Sequence, residues 1–309
     1  MGTSSRPDAG RTLCWRPEQP LDVRLTLSAL RRGRGDPTHH VDAAGAVWRT
    51  TRTEAGVASM RLVQVADGTV HVTAWGPGAR AVLDAAPTML GADDDPGFAP
   101  QHPLLRESAA RHPGLRVPRI GAVFEVLVAA VLEQKVTGGE ARRSWRELVR
   151  RFGEPAPGPV PAGMRVAPAA AVWRRIPSWE WHRAGVGPQR ARTVVTAAAV
   201  GSRLEESLEL PVSQARDRLL AVPGVGAWTV AEVMQRSHGD ADAVSVGDFH
   251  LPALVGWALT GRPLDDDGML QALAPYAGHR YRAVRLVEIS GFRKPRFGPR
   301  YAPADLRAI

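Results

Sequence analysis

One cysteine, Cys14, stands in a chain of 309 residues. A disulfide within the chain and a four-cysteine iron–sulfur cluster are both excluded. Long apolar runs are also missing. The longest, Ala122 to Leu132, is interrupted by Glu125 and is too short to cross a bilayer. The first residues, Met1 to Gly10, contain no apolar stretch of the kind that opens an exported chain, so the expected compartment is the cytoplasm. Metal-ligand clusters are scarce too. His39, His40 and His71 come without a carboxylate or cysteine at metal spacing and read as surface residues. The run Asp93-Asp94-Asp95 lacks an EF-hand pattern and reads as part of a solvated Pro/Gly linker, Gly91 to Pro103.

What the chain has in excess is positive charge, a formal +9 from 40 Lys and Arg against 31 Asp and Glu. That balance favours an anionic partner, although an arginine-rich composition alone gives the same sign. The basic stretch Arg31-Arg32-Gly33-Arg34-Gly35-Asp36 reads as a solvated turn, with a phosphate contact as the alternative.

Taken in order, residues 1–20 read as a flexible lead. Leu21, Val23, Leu25 and Leu27 alternate with polar residues, which predicts a strand over Leu21 to Leu30. Val47, Val57 to Val65 and Val70 to Trp75 predict a β-meander whose last turn is marked by Asp67-Gly68. Helical composition follows over Ala79 to Met89. Residues 21–112 are therefore expected to form a small α+β domain with an antiparallel sheet. From 113 to 309 the pattern is helical. Ile120 to Leu132 is apolar around most of its circumference, which suits a buried central helix. Ala141 to Phe152 is basic and amphipathic, with Trp145, Leu148, Val149 and Phe152 on one face and its arginines on the solvated one. The tail from Lys294 to Ile309 is basic and broken by prolines, as expected of a segment wrapping the surface.

The stretch Leu219 to Leu259 carries the chemistry. Pro223-Gly224-Val225-Gly226 interrupts a helical run, and Ala227 to Met234 restarts one. The free N–H groups of such a restart suit a phosphate. Twenty residues after Trp228, Asp248 follows the apolar segment Val244-Ser245-Val246 and opens another helical pattern, Phe249 to Leu259. Asp248 has two compatible readings, an N-cap or a catalytic carboxylate whose direction the cap fixes.

The pattern L-x-x-V-P-G-V-G-x-W-T-x-x-x-V followed by Asp248 resembles the helix–hairpin–helix DNA glycosylases, and within them the 3-methyladenine DNA glycosylase II branch, from about Gly114 to Gly291. The resemblance implies a mainly helical, two-lobed α+β protein that contains the helix–hairpin–helix at about 213–236. It implies a monomer that binds double-stranded DNA at the nucleoid, flips an alkylated purine and hydrolyses its N-glycosidic bond with Asp248. Gly224, Val225, Gly226 and Ala227 match the phosphate grip. Main-chain carbonyls of Leu220, Val222 and Val225 match the ligands of a monovalent cation, with no other cofactor required. Gln134 and Lys135 match the loop that fills the vacated helix position, although a lysine departs from the family's apolar wedge. Trp228 stands where lyase members carry a nucleophilic lysine, which implies base release without strand cleavage. Base-pocket candidates are Trp179, Trp181, Phe124, Phe249 and Tyr281, together with His279, which replaces a family aromatic. The paired tryptophans suit a core as well as a purine. Other lesion specificities and a non-catalytic DNA-binding protein remain the alternatives.

Overall fold

The computed structural model describes residues 10–95 and 97–295. Its amino-terminal part is built on five antiparallel strands in the order β1-β5-β4-β3-β2. They are β1 (Arg11–Trp15), β2 (His39–Val41), β3 (Val47–Thr53), β4 (Gly56–Gln64) and β5 (Val70–Trp75). The meander β3-β4-β5 lies where the alternation places it. Three expectations for this part are corrected. The lead is not loose throughout, because residues 11–15 pair with β5 in the register Arg11↔Ala74 to Trp15↔Val70. β5 would otherwise leave an unpaired edge. Leu21 to Leu30 is not a strand; helix α1 (Val23–Ser28) forms there. Asp22 caps it by accepting the Leu25 N–H at 2.8 Å, and Val23, Thr26 and Leu27 bury one helical face. Alternation over so few residues suits either period, and the cap decides between them.

The third correction is His39, which is 3% exposed in β2 opposite Arg49, with no partner for its Nδ1. Burial, reinforced by Arg49, holds the imidazole down at about 4. Unfolding exposes it, and its pKa returns to about 6.5, so the unfolded chain takes the extra proton between these values. Stability is thus full above pH 6.5 and declines as the pH falls toward 4. Urea midpoints measured across that window are expected to drop on the acid side, and His39→Gln to flatten that part of the profile.

Helices α2 (Ala79–Asp84) and α3 (Ala86–Met89) cover the sheet, and their apolar faces join Val23, Leu27, Met60, Leu62 and Val72 in one core. α4 (Pro103–Arg111) packs elsewhere, against the closing helix. The second core surrounds α5 (Val123–Glu133), which is buried on almost every side as its composition predicts. α6 (Gly138–Phe152) opens with a Thr137–Glu140 capping box and buries Trp145, Leu148 and Val149. A two-stranded ribbon, β6 (Glu154–Pro155) and β7 (Arg165–Val166), leads to α7 (Ala170–Trp173), α8 (Ser178–Arg183), α9 (Pro188–Ala199) and α10 (Gly201–Glu205). α11 (Val212–Leu220) and α12 (Ala227–Val233) complete this lobe, and one π turn, Met234–His238, follows.

α13 (Leu251–Thr260), α14 (Asp266–Leu273) and α15 (Arg280–Ile289) form the third core together with Leu105 of α4 and Leu115. The Ser108 hydroxyl donates to the Leu286 carbonyl at 2.8 Å and fixes α4 on α15. The aspartate run is not wholly solvated, because Asp94 forms an ion pair with Arg282 in which both side chains are 6% exposed. Arg282 is accordingly no surface arginine. A loop and a helix far apart in sequence are tied by a charge pair that neither can abandon without leaving the other buried and uncompensated.

Candidate active site

The hairpin between α11 and α12 is shaped by its glycines. Val222 and Val225 are 4% and 7% exposed and anchor the turn in the second core, and the Val225 N–H donates to the Val222 carbonyl at 3.0 Å. Gly224 has φ +88°, and a Cβ there would come within 2.1 Å of the Thr193 hydroxyl oxygen. Gly226 has open space where a side chain would be. Both glycines are exposed, as is Ala227, so the main chain is bare at this corner. Leu220 is 47% exposed. Of the three carbonyls matched to a cation, that of Val222 already accepts one N–H. The hairpin offers main-chain oxygens, the donor type a hard monovalent ion takes.

Gln134 and Lys135 lie beside this turn. The Gln134 amide donates to the Gly224 carbonyl at 3.0 Å and to the Thr229 hydroxyl at 2.8 Å. Its N–H groups are therefore used in fastening the loop after α5 to the hairpin. Lys135 is exposed and is the single non-glycine residue at positive φ, +54°, among the described residues. A lysine held in a left-handed conformation is uncommon, and such strain gathers at sites where a surrounding frame enforces it.

Asp248 stands at the start of α13. Its Oδ1 accepts the N–H groups of His250 at 2.7 Å and Leu251 at 2.9 Å. Its Oδ2 accepts the indole N–H of Trp228 at 3.1 Å. Three donors thus fix the carboxylate, two of them N–H groups at the start of α13, which begins at Leu251 and not at Phe249. Trp228 packs partly on the second core, as expected for a helix residue, but it also orients Asp248 through a bond that the sequence did not announce.

Asp248 lines a cavity of about 270 Å³ between α12 with its π turn, α13 and α15, closed on one side by Ser28 and Ala29 of the amino-terminal part. Trp228, Glu232, Gln235 and Arg236 fall at helical spacing on the face turned toward the Asp248 loop. Glu232 accepts the Ser245 hydroxyl at 2.6 Å and pairs with Arg236 at 2.9 Å. The Gln235 amide donates to the Ala243 carbonyl and the Ser245 hydroxyl, both at 2.9 Å. The Arg236 Nε–H donates to the Ala29 carbonyl at 3.0 Å. Burial works against the Arg236 charge, but Glu232, Tyr281 and further acids outweigh it and raise its pKa. Burial also pushes the Tyr281 hydroxyl up, and Arg285 pairs with Glu288 across the same wall. None of Glu232, Gln235, Arg236 and Glu288 was singled out from sequence. A four-residue spacing of charges on a helix reads as a solvated face unless the partner helix is known.

Of the base-pocket candidates, Tyr281 reaches this cavity and the others do not. Trp181 is 3% exposed, stacks on Trp173 at 5.6 Å and gives its indole N–H to the Ile176 carbonyl, so it belongs to the core. Phe124 is 8% exposed in the same core. Trp179, 65% exposed on α8, and Phe249, 88% exposed, face solvent. His279 packs against Phe98 at 5.3 Å and lies 3.5 Å from the Asp95 carboxylate. The tail after Pro295 lies outside the described residues; before it, Lys294 donates to the His250 carbonyl at 3.3 Å.

No family model matches the chain. Its fold matches a 3-methyladenine DNA-glycosylase from Archaeoglobus fulgidus with a TM-score of 0.73, at 16% identity, over 91% of this chain and 98% of that one. An 8-oxoguanine glycosylase/lyase from Clostridium acetobutylicum, in its apo form, matches with a TM-score of 0.68 at 13% identity, over 91% of this chain and 98% of that one. A 177-residue stretch is 33% identical to a Mycobacterium tuberculosis protein named probable bifunctional transcriptional activator/DNA repair enzyme AlkA. That match covers 55% of this chain and spans 33% of the relative's length. The chain has the fold of the DNA glycosylases, α+β with a five-stranded antiparallel sheet, and the resemblance to their AlkA-like branch holds.

Proposed function

We propose that the protein is a monofunctional DNA N-glycosylase that acts on double-stranded DNA as a monomer at the nucleoid and removes alkylated purines. The observation that supports this most is the Asp248 carboxylate, at the wall of a cavity and fixed by three donors, one of them the indole of Trp228 two residues after the glycine hairpin. An alkylated purine is already cationic and leaves as a neutral base. The N-glycosidic bond breaks with its electron pair going to the base, and positive charge grows on the sugar. A carboxylate facing C1′ stabilises that charge and takes a proton from the water that adds there. The hairpin from Gly224 to Ala227 holds the strand by its phosphates, which adds salt-dependent affinity and no base information. A monovalent cation on the Leu220, Val222 and Val225 carbonyls would supply further positive charge to that phosphate. Lys135 fills the vacated position with its stem and keeps its ammonium near phosphate.

The cavity walls favour a second reading of the lesion. Tyr281 is the one aromatic side chain among the expected lining residues that faces in, whereas Glu232, Gln235, Arg236, Arg285 and Glu288 are polar. Such a wall discriminates through hydrogen bonds more than by stacking, which suits a lesion with altered donors and acceptors, such as a deaminated base.

Base release measured on duplexes carrying methylated, deaminated or mismatched bases tests both. Release from the methylated duplex is expected, leaving an abasic strand that breaks only after alkali. Borohydride is expected to trap no protein–DNA adduct; an adduct would overturn the monofunctional assignment, and release confined to the deaminated duplex would overturn the alkylpurine one.

A further inference from the structure

Two arginine-rich segments that sequence alone reads as solvated surface, with a phosphate contact as the alternative for residues 31–36, come together in space. The loop at residues 31–36 lies along α6. Asp36 anchors it, accepting the Trp145 indole N–H at 3.1 Å and the Arg32 N–H at 2.7 Å. The Arg34 carbonyl accepts from the Arg146 guanidinium at 3.2 Å. Gly33 and Gly35 have φ of +80° and +74°. A Cβ on Gly33 would fall 2.5 Å from Arg142 Cδ, and one on Gly35 would fall 3.7 Å from the Arg150 guanidinium. The loop therefore runs against the stems of Arg142 and Arg146 and the guanidinium of Arg150, and adds its own exposed Arg34 beside them. Arg34, Arg142 and Arg150 are exposed and Arg146 is half-buried.

The local acids do not neutralise this ridge. Glu133 pairs with Arg32 at 2.9 Å, Glu140 is buried in its capping box, and Asp36 is buried under the loop. Glu147, half-buried on α6, forms no ion pair within 4 Å with any of the four among the described residues. Four arginines brought together with no carboxylate paired to any of them among the described residues repel one another, an arrangement that suits a polyanion.

We infer that Arg34, Arg142, Arg146 and Arg150 form a second track for the duplex backbone, continuing from the Lys135 loop away from the cavity. The inference rests on the reading of the protein as a duplex-DNA enzyme. Positions 142, 146 and 150 share one helix face, and eight residues of helix span about 12 Å. In that distance one strand presents roughly three to four phosphates. α6 begins three residues after Lys135, so the ridge starts beside the loop that faces the lesion and leads outward. The contact carries no sequence information. It lengthens the footprint on undamaged DNA, which any enzyme searching for rare lesions has to hold.

The test is the salt dependence of binding to an undamaged duplex of about 30 base pairs, read by fluorescence anisotropy, for the wild type and the triple variant R142Q/R146Q/R150Q. Each lost phosphate contact lowers the slope of log affinity against log salt by about 0.9, so a drop of roughly 2 to 3 is expected. Affinity at about 0.1 M salt should fall tenfold or more. R142K/R146K/R150K keeps the charge and should keep most of the slope. If the glutamine triple loses its fold, R34Q and R150Q, both at exposed positions, should each lower the slope by about 1. An unchanged slope in folded glutamine variants overturns the track and leaves the ridge to solvent or to an acidic protein. Equal loss in the lysine and glutamine triples overturns it as well, because packing would then be the cause. Undamaged DNA is the probe, so the result stands apart from base release: a wild type that releases no base but shows this slope change keeps the track and loses the glycosylase reading.

Discussion

An Asp248→Asn protein is expected to bind duplex DNA and to release base at least about a hundredfold more slowly than the wild type, as when a group stabilising transition-state charge is removed. The substitution isolates charge from architecture. Asparagine keeps an oxygen where Oδ1 accepts the His250 and Leu251 N–H groups, so the start of α13 is retained. What disappears is the negative charge and the acceptor at Oδ2, which now meets the Trp228 indole as a second donor. The melting temperature should move little, because a cap of this kind contributes only about 1 kcal/mol even when wholly lost. Duplex affinity should hold or rise, since a carboxylate near phosphates has gone. Single-turnover base release, anisotropy and a thermal melt on the same preparation separate these effects. Release unchanged from the wild type removes Asp248 from the chemistry.

The second large effect is expected at Gly224. An alanine there adopts a left-handed backbone at φ +88° and drives its Cβ to within 2.1 Å of the Thr193 hydroxyl oxygen, which itself bonds the Gln189 carbonyl at 3.1 Å. The backbone conformation costs about 1–2 kcal/mol. Forcing α9 away from the hairpin costs a further 1–3 kcal/mol or so. A loss of roughly 2–5 kcal/mol should appear in urea unfolding, together with weaker DNA binding, because the Gln134 amide is bonded to the same residue's carbonyl. Adding Thr193→Ala should recover the steric part and leave the conformational part. Gly226→Ala is the informative contrast. It has φ −109° and no neighbour within 4 Å of its added methyl, so stability should hold within about 0.5 kcal/mol. A fall in DNA affinity in that variant then reports a methyl standing where the strand approaches. Equal urea midpoints for the wild type and Gly224→Ala would contradict the geometry of the turn.

The hairpin and Asp248 could be located from the sequence because their geometry is local. Two glycines, a proline and a capping acid act within a few residues, and their spacing survives whatever packs around them. The meander was legible for the same reason. The cavity was not. Its walls come from α1, α12, α13 and α15, and which face of each helix points inward depends on partners more than two hundred residues apart. Aromatic residues near the motif were natural candidates, yet Trp181 is taken by its stack on Trp173 and Phe249 by solvent. The cavity is lined instead by charged residues whose helical spacing is indistinguishable from that of a wet surface. Edge pairing of residues 11–15 is equally non-local, since nothing within that segment says that β5 lacks a neighbour.

The bond from Arg236 to the Ala29 carbonyl bears on how the protein can be dissected. A fragment cut at the interdomain linker to keep only the helical lobes would lose Ser28 and Ala29 and leave a buried guanidinium short of an acceptor, with water entering the cavity from that side. Ser28 and Ala29, at the end of α1 and not in the sheet, complete the wall of the cavity that Asp248 lines. On the proposed glycosylase reading, the smallest active unit is therefore the two parts together, and an insertion or deletion near residue 29 is expected to disturb the cavity that Asp248 lines.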